Sequence, residues 1–120
     1  MNMNKIEDGL KDILSLNGAL GASLVDWGSG MVLGMDTNGN FPIELASAGN
    51  SEVVKAKMTT MKSLELEGNI KDIMISLSDQ LHIIHILEDN PELFLYVALD
   101  SSKSNLALAR HKLSTVAKEK

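Results

Sequence analysis

The chain has 120 residues, a net charge of −5, 44% hydrophobic residues, 3% aromatics and no cysteine. That is enough apolar material for one compact domain. It is too acidic for an ordinary nucleic-acid binder and too poor in rings to stack single strands. Without cysteine there is no disulfide, thiolate nucleophile or cysteine zinc site, which fits the expected cytoplasmic location.

The opening residues, Met1 to Asp8, lack the apolar core of a signal peptide. No run of about 18 apolar residues offers a membrane span. From Lys5 to Leu16, the spacing of Ile6, Leu10, Ile13 and Leu14 predicts an amphipathic helix. Asn4 is its expected N-cap, with Glu7 and Asp8 in a first turn whose dipole favours acids. Asn17-Gly18 is its stop signal. Ala22 to Asp26 then reads as a strand, Trp27 to Gly30 as a tight turn, and Met31 to Met35 as a second strand. Both strands are expected to be largely buried.

Thr37 to Asn40 is a polar loop, and Pro42 suits the first turn of a second helix. With no proline between Pro42 and Glu67, that helix is expected to run to about Glu67, stopped by Gly68-Asn69. Ile43, Ala46, Val53, Val54, Met58, Met61 and Leu64 form its apolar stripe, widened by Leu45, Gly49 and Ala56. Some 23 residues at 1.5 Å each give roughly 35 Å of helix, longer than strands of about 20 Å. Gly49 is its weak point.

Ile70 to Leu99 holds three short apolar runs, broken at Ser78 to Gln80 and at Glu88 to Glu92. Their lengths are those of strands, and their short connections make an antiparallel meander. Leu81, Ile83, His85 and Leu87 lie on one face of the middle run, and His82, Ile84 and Ile86 on the other. Both faces are apolar, so both need covers. Ser101 to Asn105 supplies cap residues for a last helix with the stripe Leu106, Ala109, Leu113, Val116 and Ala117. The expected fold is an α/β sandwich: five antiparallel strands with helices on both faces, in one domain over residues 1–120.

Signatures of catalysis are missing. There is no GxxxxGK[ST] phosphate loop, and Gly28-Ser29-Gly30 joins two strands and lacks the third glycine of a dinucleotide loop. Asp36, Asn38 and Asn40 mimic a calcium loop, but Phe41 and Ser47 stand at its glycine and glutamate positions. His82 and His85, three apart on a strand, point to opposite faces and cannot hold one metal ion. No GxSxG elbow occurs, and no carboxylate pair is marked by an apolar setting. No catalytic residue, metal or cofactor is expected.

The pattern resembles the roadblock/LC7 family, which includes dynein light chains of the roadblock type and bacterial MglB-like proteins. Asn17-Gly18-Ala19-Leu20-Gly21-Ala22-Ser23-Leu24-Val25-Asp26 looks like that family's GV.GA.LVD segment, with Leu20 in place of valine. A turn containing Gly28 and Gly30 follows. Asn105-Leu106-Ala107-Leu108-Ala109-Arg110 looks like its closing NL.L.R helix. The resemblance implies a profilin-related sandwich with sheet order 2-1-5-4-3. The first and last helices would cover one face and the long helix the other. It further implies homodimers made by pairing third strands and packing long helices antiparallel, on a platform that binds Ras-like GTPases, dynein intermediate chains or scaffold partners.

In this chain such an interface would use Val54, Met58, Met61, Lys71, Ile73, Met74, Ile75 and Leu77. Ile73, Met74, Ile75 and Leu77 are apolar where edge strands usually carry charge, proline or a bulge. The methionines are adaptable contacts. The expected function is a non-catalytic homodimeric adaptor that binds, and regulates, a small Ras-like GTPase or scaffolds a complex. Arg110, the only arginine, lies among expected fold residues, so no arginine finger is donated in trans. The alternative is a small-molecule-sensing or enzymatic profilin-like domain, which would need an apolar pocket with convergent polar groups.

Overall fold

Eight elements follow one another in the computed structural model, which describes residues 3–119. They are α1 (Met3–Leu14), β1 (Ala19–Asp26), β2 (Met31–Thr37), α2 (Ile43–Ser63), β3 (Asp72–Ser76), β4 (Gln80–Ile86), β5 (Leu93–Asp100) and α3 (Leu106–Glu119). The expected span 1–120 extends past the described residues at Met1, Asn2 and Lys120. The strands form one antiparallel sheet in the order β2-β1-β5-β4-β3, as expected. β5 sits in the centre, and its residues from Leu93 to Leu99 are all buried.

The two faces of the sheet carry separate cores. Ile6, Leu10, Ile13 and Leu14 of α1 and Ala109, Leu113 and Val116 of α3 pack on Leu24, Ile83, Leu95, Val97 and Leu99. On the opposite face, Ile43 and Val54 of α2 pack with Val25, Ile84, Ile86, Phe94, Tyr96 and Ala98. The alternation of β4 therefore serves two covers, which explains why both of its faces are apolar. A β-carbon on Gly34 of β2 would lie 2.8 Å from Ile6 Cγ2 and 3.1 Å from Leu10 Cδ1. Glycine lets α1 approach there.

Several boundaries differ from the sequence expectation. α1 begins at Met3 and ends at Leu14, so Asn4 lies within its first turn instead of capping it, and Glu7 and Asp8 fall beyond that turn. Its end is closed by Asn38, whose amide donates to the carbonyls of Leu14 and Ala19 at 3.2 and 3.0 Å. Gly18 turns the chain with φ +83°, where its expected stop falls. β1 starts three residues before Ala22, at Ala19. β2 is an edge strand with no buried side chain, not the buried strand expected; Met31 and Met35 are exposed. Leu33 is an extra residue in it, because the register passes from Leu24–Gly34 to Val25–Val32.

α2 stops at Ser63, four residues before the expected Glu67. The Leu66 amide bonds back to the Met61 carbonyl at 2.9 Å, and Glu65 turns left-handed with φ 56°. That break comes before Gly68 is reached. Pro42 occupies the N-cap and offers no side-chain cap. Asn105 caps α3 as expected, its Oδ1 accepting from the Leu108 amide at 3.1 Å.

Candidate protein-interaction surface

The surface is built around β3, the second edge of the sheet. Its pairing with β4 is regular, from Asp72–His85 to Ser76–Leu81, with no bulge. The Ile86 amide bonds to the Lys71 carbonyl and the Leu77 amide to the Gln80 carbonyl. Antiparallel ladders alternate, so Lys71, Ile73, Ile75 and Leu77 spend their backbone groups on β4. The amides and carbonyls of Asp72, Met74 and Ser76 point away from the sheet. β2 presents a poorer edge, broken by its bulge, and Asp36 Oδ1 takes up the Thr37 amide at 2.9 Å.

Side chains around the β3 edge are correspondingly apolar and uncovered. Met74 is 42% exposed and Leu77 49%, while Ile73 and Ile75 are half-buried on the α2 face. In α2, no side chain after Val54 is buried. Met58 and Met61 are half-buried, and Leu64 and Leu66 beyond the helix are exposed. Val54 itself is fully buried against the sheet, so its place is in the core of the protomer. The structure thus gathers Ile73, Met74 and Ile75 on one strand, with exposed Lys71 just before it and exposed Leu77 just after it. Met58 and Met61 lie on the helix face towards the same side of the sheet.

The sheet-facing stripe of α2 is not the one its apolar residues indicate. The buried positions are Ile43, Ser47, Asn50, Ser51 and Val54, whereas Val53 and Leu64 are exposed. Ser47 Oγ lies 2.7 Å from Ser23 Oγ of β1 and 2.7 Å from the Ile43 carbonyl. Ser51 Oγ donates to the Ser47 carbonyl at 3.2 Å. The Asn50 side chain bonds the Tyr96 hydroxyl, which lies 3.3 Å from His82 Nδ1; His82 Nε2 is 2.8 Å from Gln80 Oε1. Burial pushes the Tyr96 hydroxyl up to about 12 and holds His82 below its ordinary value.

His85 faces the other side, as its parity requires. Its cross-strand neighbour Asp72 accepts from Arg110 Nε of α3 at 2.9 Å. Burial lowers the His85 pKa, Asp72 opposes that shift and Arg110 adds to it. Arg110 therefore ties α3 to the edge strand. Beside this pair lies an open cleft of about 750 Å³ lined by Ile70, Lys71, His85, Ile86, Ser114 and Lys118 among others. Among the described residues, no three His, Cys, Asp or Glu side chains form a set able to hold a metal ion. No described helix is long and apolar enough to cross a membrane. Asn38, a residue of the calcium-like run, spends its amide on the end of α1. The turn at Trp27 is braced by Asp26 Oδ1, which accepts from the Gly28 and Ser29 amides, and by the Trp27 indole, which donates to the Pro91 carbonyl at 2.8 Å.

Neither a known protein-family pattern nor a curated protein sequence matches the chain. Solved structures do. A roadblock/LC7 domain from Streptomyces avermitilis superposes with a TM-score of 0.76 at 11% identity, covering 98% of this chain and 92% of that one. Myxococcus xanthus MglB gives 0.79 at 17%, covering 98% and 86%. A structure described as MglB with tetrameric arrangement gives 0.73 at 17%, covering 98% and 90%. A sheet in this order, between one long helix and a helix pair, is an α/β sandwich of the profilin-like class. Within that class, the chain has the roadblock/LC7 fold.

Proposed function

We propose that the chain is a non-catalytic, homodimeric adaptor, one domain over residues 1–120, that works in the cytoplasm. Its platform binds a Ras-like small GTPase and adjusts nucleotide turnover, or holds a larger complex together. The observation that carries this reading is the bare edge of β3 beside the uncovered end of α2. A two-fold axis through Met74 sets Asp72 of one copy opposite Ser76 of the other. All three outward-facing residues then pair, with about six backbone hydrogen bonds. On the α2 face, Ile73 then lies opposite Ile75 of the second copy, and Lys71 opposite Leu77. A stable pair of this kind buries roughly 1,600 Å² or more. The likeness to MglB in a tetrameric arrangement supports an assembling role, and the GTPase comes from the family resemblance.

Arg110 is engaged with Asp72 at the sheet edge, so any activation acts by repositioning the GTPase's own residues. The test is solution mass by light scattering for the wild type and Ile75→Lys, followed by capture of Ras-like GTPases in both nucleotide states. A dimer split by the lysine and a nucleotide-dependent capture are expected. A wild-type monomer refutes the platform. Arg110→Ala abolishing activation while fold and binding persist refutes the absence of a finger.

One observation favours the second reading, a small-molecule-sensing domain. The cleft beside His85 is within the size range of ligand sites, and both apolar residues (Ile70, Ile86, Leu87) and polar ones (Lys71, His85, Ser114) line it. Shifts of the His85 and Ser114 resonances on titration with small metabolites would support it. Unchanged resonances would remove it.

A further inference from the structure

Tyr96 is fully buried, and its hydroxyl is the middle of a chain joining α2 to the sheet. The roles along that chain are set by chemistry. Gln80 Oε1 is a carbonyl oxygen and can only accept, so His82 Nε2 carries a proton. In the neutral ring, Nδ1 is then an acceptor, and the Tyr96 hydroxyl donates to it. The Tyr96 oxygen receives the Asn50 amide. Every donor has one acceptor, in the order Asn50, Tyr96, His82, Gln80.

A proton on Nδ1 breaks this order. Two donors then face each other, and the Tyr96 hydroxyl must turn its hydrogen away. It has no other acceptor among the bonds described, inside a buried site where an unmade bond is costly. The groups around His82 offer the added charge nothing. Phe41 and Tyr96 stand edge-on to the ring at 6.3 and 5.6 Å, Ile75 is its partner on β3, and Gln80 is neutral. Burial lowers its pKa, and no carboxylate or ammonium is among the causes of that shift. Asn50 is the link nearest the middle of α2, whose other buried apolar anchors are only Ile43 and Val54.

We propose that the chain Asn50–Tyr96–His82–Gln80 is a pH-operated latch between α2 and the sheet, closed while His82 is neutral and opened when it takes up a proton. α2 then loosens before the rest of the fold. Because α2 flanks the platform, the opened latch weakens the dimer, a consequence that rests on the reading above.

The experiment is amide hydrogen exchange on the full chain at pH 7.5 and 5.5, with protection corrected for intrinsic rates. In the wild type, α2 loses severalfold more protection than α1 on acidification, because the proton is taken up more readily with the latch open than closed. His82→Gln, which cannot take the proton, removes that difference. So does Tyr96→Phe, which has no hydroxyl to orphan and serves where the glutamine variant folds poorly. His85→Gln keeps the wild-type response. An undiminished response in His82→Gln or Tyr96→Phe overturns the latch, as does a loss shared equally by α1 and α2. Light scattering at the same two pH values separates the two readings. A monomer at both refutes the platform and leaves the exchange result to decide the latch within one protomer.

Discussion

Ser23 and Ser47 meet at the join between β1 and α2 with no exposed surface on either. Ser47 has one proton, which its helix carbonyl at Ile43 takes, so the bond between the hydroxyls uses the proton of Ser23. Ser47→Ala strands that buried donor and is expected to cost about 1–3 kcal/mol in urea unfolding. Ser23→Ala added to it recovers part of the loss; a double variant as unstable as the sum of the singles contradicts the pairing. At His85 the balance is electrostatic. Arg110 lowers its pKa and Asp72 raises it, so Arg110→Gln moves the titration up, as read by NMR. The sign for stability follows. The folded His85 sits below the ordinary 6.5, so its contribution is present above that pH and is lost as pH falls from there through the lower folded pKa. Arg110→Gln narrows the loss.

At the scale of elements, the sequence is legible where apolar spacing and burial agree. α1 and the meander show their buried residues directly, because Ile6, Leu10 and Ile13 are apolar and Leu93 to Leu99 of β5 bury only one polar side-chain group, the Tyr96 hydroxyl. α2 is harder. Its buried stripe follows the helical spacing Ile43, Ser47, Asn50, Val54, but two of those four are polar, satisfied by partners distant in sequence. Hydropathy therefore points to Val53 and Leu64, which face outward. β2 misleads for a related reason: its apolar run matches a buried strand, and only the sheet order makes it an edge. Of the interface residues read from the sequence, those on β3 are placed at an edge, while Val54 is claimed by the core. The ladder gives β3 its own test. Met74 has its amide turned outward, so Met74→Pro removes a donor that β4 does not use. It is expected to leave the protomer folded by circular dichroism and to abolish association in sedimentation. Ile73→Pro breaks the β3–β4 ladder and is expected to unfold the hairpin. Equal damage from both would refute the alternation of the ladder.

For the whole molecule, Val53, Leu64, Leu66, Met74 and Leu77 leave apolar surface in water along one stretch of the chain. A protein that covers them with a second copy gains stability by mass action. Its thermal midpoint is then expected to climb as protein concentration is raised, and to stop depending on concentration in Ile75→Lys. A midpoint independent of concentration in the wild type, across a range that spans the dissociation constant, would show that the copies do not stabilise one another.

In the dimer proposed above, the bulge at Leu33 would set where growth ends. Joining two β3 edges about a two-fold axis uses both of them up and leaves a β2 at each rim. A regular rim would template the next pair, and sheets would add end to end into a fibre. Here the extra residue twists the rim, and Asp36 has already taken the Thr37 amide. If the proposed dimer forms, one irregular residue on the far side of the sheet keeps the assembly finite.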